Sequence, residues 1–242
     1  MSLSRPRLVS PCNKTIDFKG DTGTFLYWDK KAAKNVIIPL PFSFIFLDEM
    51  NGVAGFNEQH KQGIYSNEVH NLTTQLLTVG IYKSPFKIIG KYKDIKGDVA
   101  KIGGKFEKSV YIYLPETNEI AKLGLKGAAF AGWLEKKFNP EVTPGIEVAD
   151  CRKAKKGTVN YLIPIFKSVN VDLETLESAA LRDKELQEYF DEYENKDAVE
   201  QVIDAQITED AGDDGAGEGG EQGGETKTEQ EKENELFKEK IK

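Results

Sequence analysis

GIYKSPFKIIGKYKDIKGDVAKIGGKFEKSVYIY, residues 80–113, sets eight lysines (83, 87, 91, 93, 96, 101, 105 and 108) against three acids, Asp94, Asp98 and Glu107. Tyr82, Phe86, Tyr92, Phe106, Tyr111 and Tyr113 are threaded among them. Thr73–Tyr82 and Phe86–Lys93 read as two strands or one bent strand, broken at Ser84-Pro85, and Lys108–Leu114 alternates with the period of a strand whose successive side chains face opposite ways. At the C-terminal end Val110, Ile112 and Leu114 share one face, and Tyr111 and Tyr113 the other. Between the ends, Asp94–Ile102 is long enough for two turns of helix with Asp94 as its N-cap, and Gly103-Gly104 stops it. The order is strand, short helix, strand. Lysines supply mobile cations for phosphates, and rings supply flat faces for bases. That mixture suits an unpaired polynucleotide. It equally suits a half-buried sheet with lysines on its wet side.

The charge of the whole chain bears on that choice. Net charge is −7 over 242 residues, but the sign is split. Residues 1–170 hold 25 Lys+Arg against 16 Asp+Glu, and residues 171–242 hold 8 against 24. A basic body with an acidic end suggests a polyanion-binding surface and a segment that competes for it or recruits another protein. An acidic solubility tail is the plainer alternative. Cys12 and Cys151 form no metal-ligand spacing, even with His60 and His70, so no metal or cofactor is expected. The residues at the start of the chain do not read as a signal peptide, and the longest apolar run, 36–47, is too short and too rich in proline to cross a membrane. The chain is read as soluble and cytoplasmic.

Working outward, residues 1–34 read as a ragged leader with one short strand near 23–28. In NVIIPLPFSFIFLDE (35–49) the prolines exclude a regular central strand at 39–41, and Phe42, Phe44 and Phe46 then alternate in a strand. Asn51-Gly52 is a turn signal before a further strand at 53–56. The stretch 120–138 is a helix rich in small residues, or a strand followed by a helix from Gly127. Trp133 is a core anchor. A hairpin at 146–171 turns through RKAKKG (152–157), which is a phosphate contact or an ordinary charged tip. Residues 172–193 have the clearest helical period in the chain, with Asp172 or Thr175 as cap. From Thr208 the sequence is rich in Gly, Glu and Asp and is expected to be disordered. Its apolar end, ELFKEKIK, is a docking peptide or a featureless terminus.

Nucleophile elbows, phosphate loops and paired-histidine metal motifs are absent, and the acids of the body are scattered. The chain is not read as an enzyme.

The stretches GIYSNEV (63–69), KIGGKFEKSVYIYL (101–114), LKGAAFAGWLEKKF (125–138) and LRDKELQEYFDEY (181–193) resemble the single-stranded DNA-binding proteins of tailed bacteriophages, over roughly residues 35–242. The resemblance implies an OB-fold and a role in phage DNA replication or recombination, in the cytoplasm of the host. One departure is the alternating charge of Phe237–Lys242, where many such proteins end in acids and an aromatic.

The expected fold is mainly β, an OB-like Greek-key barrel with helices at about 94–103, 127–138 and 173–194. The expected organisation is a leader (1–34), a nucleic-acid-binding body (35–171), a C-terminal helical segment (172–207) and a disordered acidic tail (208–242). The expected function is sequence-tolerant binding of single-stranded DNA. Lys83, Lys87, Lys91, Lys93, Lys105 and Lys108 would meet phosphates, and Phe86, Tyr92, Phe106, Tyr111 and Tyr113 would stack on bases. The acidic tail would compete for the groove and recruit replication or recombination proteins, and a homo-oligomer is compatible with the sequence. The rivals are RNA binding on the same surface and a virion or scaffold role.

Overall fold

Strand β4 (Phe42–Asn57) is the axle of the molecule. At 16 residues it is long enough to serve two curved halves, and a bulge between Phe46 and Asp48 bends it. The computed structural model describes residues 9–210, those from 195 onward without their side chains. Along one edge β4 pairs with β8 (Gly104–Leu114). Along the other it pairs first with β10 (Gly145–Lys156) and then with β5 (Gln62–Ser66). The sheet continues from β8 to β9 (Glu119–Leu125) and on to a leader hairpin. From β5 it runs to β6 (Leu77–Ile81) and β7 (Lys87–Gly90). β11 (Val159–Ser168) pairs with β10 alone.

The fold is therefore mainly β with peripheral helices. The sheet is not closed. β11 reaches the turn after β1 (Cys12–Lys19) through the Leu162 N–H, which donates to the Gly20 carbonyl at 2.7 Å, and no ladder joins them.

Three apolar layers hold the sheet. Phe25, Phe44, Ile112, Leu123 and Ile146 fill the first, and α2 (Ala128–Leu134) caps it by seating Trp133 inside. The second lies under α1 (Tyr92–Lys101), whose Ile95 and Val99 meet Val53, Ile64, Val79 and Ile81. The third lies under α3 (Leu173–Asp210), which sets Ala179, Leu186 and Phe190 on Met50, Tyr111 and Tyr113. Asp172 caps α3 by accepting the Thr175 N–H at 2.8 Å. Among the described residues no helix is long and apolar enough to cross a membrane.

Four expectations need correction. The stretch read as a leader with one strand supplies two, β1 and β2 (Thr24–Asp29), and leads directly into a third, β3 (Lys34–Ile38). β1 lies parallel to β9, which buries Ile16, while the polar alternates that made the stretch look ragged line the outer side. Asn51-Gly52 is no turn but the middle of β4. The Asn51 side chain donates to the Val69 and His70 carbonyls at 3.1 and 2.8 Å, so a long-range partner overrides the local turn preference. Asp94 lies in the first turn of α1, and Lys91 holds the cap position without a side-chain cap. Finally, α3 runs through to Asp210 and so takes in the first residues of the expected tail. Residues 1–8 and 211–242, with the rest of that tail and the ELFKEKIK end, lie outside the described residues.

The joint between α1 and β8 is a tight crossing. Gly103 has φ +94°, and a Cβ there would sit 2.4 Å from the Phe56 carbonyl oxygen. Gly103→Ala is expected to cost about 2–4 kcal/mol, since backbone strain and a backbone clash add. Urea unfolding of the variant checks this.

Candidate nucleic-acid interface

The two faces of β8 divide the predicted site residues. Tyr111 and Tyr113 are each 4% exposed and lie beneath α3. The Tyr111 ring meets Phe190 edge-on at 4.8 Å, and its hydroxyl donates to Glu68. Neither ring offers a face to a base, so both leave the predicted site. Alternation had separated them from Val110 and Ile112, but both faces of this strand are covered.

Phe86, half-buried, packs against the apolar layer under α1. Tyr92 and Phe106 lie on the α1–α2 side, half-buried, in a run Tyr92–Phe106–Phe130 with ring centres 5.5 and 5.1 Å apart. On that side Lys108 is bound to Glu49 at 2.9 Å, and Glu49 also accepts the Trp133 Nε1–H at 3.2 Å. Lys91 and Lys93 sit at the start of α1. The stretch RKAKKG is not the expected turn: Arg152–Lys156 continue β10 and pair with β11, so the chain turns at Gly157-Thr158. Arg152 is paired with Glu135, at the end of α2, at 2.7 Å.

The opposite face gathers the other three predicted lysines. Ala54 pairs with Lys105, Phe56 with Gly63, Tyr65 with Gly80, and Gly80 with Lys87. Paired residues point to the same side of a sheet, and Ile64 and Ile81, paired between them, point inward to the core. The outward face therefore carries Phe56, Tyr65 and Tyr82, exposed by 48, 53 and 55%. Lys105 on β8 and Lys87 on β7 stand on opposite outer strands of this face, and Lys83 holds its ammonium 5.5 Å from the centre of the Tyr82 ring. Lys83, Lys87 and Lys105 are thus brought together, while Lys91, Tyr92, Lys93, Phe106 and Lys108 belong to the other side.

Phe56 and Tyr65 were not among the predicted residues. A signal for Tyr65 exists: GIY occurs at 63–65 and again at 80–82. Antiparallel pairing of the two copies puts both isoleucines inward and both tyrosines outward. Each tyrosine falls beside the glycine of the other copy. The Tyr65 ring covers Gly80, where a Cβ would lie 3.1 Å from it.

Beyond Tyr65 the face meets a cleft of about 230 Å³ whose walls carry Asp17, Glu68, Glu107, Lys122 and Lys126. Lys126 bridges Glu107 at 2.8 Å and Asp17 at 3.1 Å. Glu68 takes the Lys122 ammonium at 3.0 Å and the hydroxyls of Ser109 and Tyr111. Burial pushes the Glu68 carboxyl up, but Lys122 and the two hydroxyls more than offset it, so it stays ionised below the usual glutamate range. The same partnership, with Glu107 nearby, holds Lys122 above the ordinary lysine value despite burial. Three acids against two lysines make this end of the face unattractive to phosphate.

α3 closes that end. The Glu68 N–H donates to the Tyr193 hydroxyl at 2.9 Å. His70 stands between Glu194 of α3, at 2.9 Å, and Asp48 of β4, at 3.4 Å, with its ring edge-on to Phe190. Gln187 also reaches Asp48, Gln75 reaches Glu194, and Asp183 lies near Asp48. Burial lowers the imidazole pKa, and the two carboxylates raise it by more, so the net shift is upward. A raised histidine stabilises the fold fully below about pH 6.5 and loses that contribution as pH climbs through the folded value. Thermal unfolding is expected to show a lower midpoint at pH 8 than at pH 6. His70→Gln should narrow that difference.

Compared with known proteins, the chain matches no family model, no curated protein and no solved structure.

Proposed function

We propose that the chain binds single-stranded DNA with little regard to sequence, on the outward face of β4–β8 and β5–β7, and that it serves DNA replication or recombination. One observation carries the proposal: three exposed rings, Phe56, Tyr65 and Tyr82, share a sheet face with Lys83, Lys87 and Lys105. Each base stacked on a ring contributes about 1–3 kcal/mol, whatever the base. A lysine neutralises a phosphate and releases counterions. In this proposal the acidic stretch from residue 208 competes for the same lysines and recruits replication or recombination proteins.

Fluorescence anisotropy of a labelled dT oligomer tests the proposal. Three phosphate contacts give a log–log salt slope of about −2 for a single strand. Affinity should then fall roughly 20-fold between 50 and 200 mM salt. No binding, or binding indifferent to salt, overturns it. A ribo-oligomer of the same length that displaces the DNA at equal concentration would make the chain an RNA binder as much as a DNA binder.

A further inference from the structure

The two GIY copies are not equivalent in space. Tyr65 covers its opposite glycine, Gly80, whereas a Cβ built on Gly63 meets nothing within 4 Å. Gly63 is flanked in its row by two exposed rings. Phe56 is its partner on β4, and Tyr82 lies across on the β6 side, where its N–H donates to the Gly63 carbonyl at 2.9 Å. Two inter-strand spacings put the Cα atoms of Phe56 and Tyr82 about 9–10 Å apart. Aromatic surfaces touch at roughly 3.5–4 Å, so a ring–base–ring sandwich spans about 7–8 Å. The gap takes one flat base, with the rings turned slightly inward, and is too narrow for two. Lys83 holds its ammonium 5.5 Å from the centre of the Tyr82 ring.

Resting on the function proposed above, we infer that Phe56, Gly63 and Tyr82 form a slot for one unpaired nucleobase, with Gly63 as its bare floor. The turn next to Phe56 is braced for such a role. The Asn57 side chain accepts the His60 N–H at 2.7 Å and donates to the Ile102 carbonyl at 2.8 Å. On the other side the Lys83 ammonium stands within reach of the phosphate of a nucleotide stacked on Tyr82. Tyr65, two residues along β5 from the floor, offers the next ring for a neighbouring base. The slot thus sets the register of the strand on the face, whereas Lys87 and Lys105 act through charge alone.

Gly63→Val tests the slot. The position is exposed, it has ordinary strand geometry, and a Cβ there meets nothing within 4 Å, so the fold is expected to keep its melting temperature. Two readouts are taken with a dT oligomer carrying one central 2-aminopurine, whose fluorescence falls when it is stacked. Wild type should quench the probe. Gly63→Val should leave it bright and weaken binding about 10-fold or more at an unchanged salt slope. Phe56→Ala should do the same from the side of the slot. If Gly63→Val quenches and binds like wild type while Lys87→Ala/Lys105→Ala is weakened, the slot is refuted and the interface stands. If wild type does not bind at all, slot and interface fall together.

Discussion

Replacing Phe56, Tyr65 and Tyr82 together by alanine is expected to weaken binding of a dT oligomer by at least about 100-fold, or some 3 kcal/mol. The three rings expose about half of their surface and make no part of the three apolar layers. Their loss should therefore leave unfolding nearly unchanged. Tyr111→Phe is the contrasting substitution. Its ring is covered by Phe190 and its hydroxyl is spent on Glu68, so it should leave DNA affinity alone and cost stability. Anisotropy titration and urea unfolding on wild type and the two variants separate the roles. Should Tyr111→Phe weaken binding as much as the triple variant does, the assignment of faces is wrong.

Glu68→Ala is expected to remove about 3–5 kcal/mol of stability, a large share of the 5–15 kcal/mol typical of a domain. Glu68 accepts from Ser109, Tyr111 and Lys122 at once, with little exposure on any of them. Deleting the carboxylate strands a largely covered ammonium and two buried hydroxyls, which is costlier than never having had the pair. Glu68→Met combined with Lys122→Met should recover part of the loss, since that change removes both charges. The carboxyl is held below its ordinary value, so its contribution is present above about pH 4.5 and fades as pH falls through the lower folded value. Unfolding midpoints of wild type, single and double variants at pH 7 check the order.

Much of the architecture is legible in the sequence. Alternation placed β8 and the first half of β4, and it set the turn of the β10–β11 hairpin too early, over residues that continue β10. Helical spacing at Leu176, Leu186 and Phe190 placed α3, and the paired glycines at 103–104 ended α1. What alternation does not carry is whether a second face is wet. Tyr111 and Tyr113 look like the outer row of a half-buried strand until α3, some 60 residues later, lies down on them. Asn51-Gly52 fails in the same way. Its turn preference is local, and the carbonyls of Val69 and His70 that hold it extended are not. The candidate site was half legible. Lys83, Lys87 and Lys105 are read from charge alone, but their grouping depends on the pairing of β4 to β7. Phe56 and Tyr65 lie upstream of the lysine-rich stretch and become neighbours of it only across that sheet. The twin GIY was the available clue, because two copies paired antiparallel must share their outward face.

Ultraviolet crosslinking of a 5-bromodeoxyuridine oligomer to the full chain, with the attached residues read by mass spectrometry, addresses the proposed interface most directly. The account predicts adducts at Phe56, Tyr65 and Tyr82. Adducts confined to Tyr92, Phe106 and Phe130, on the other side of the sheet, would contradict it.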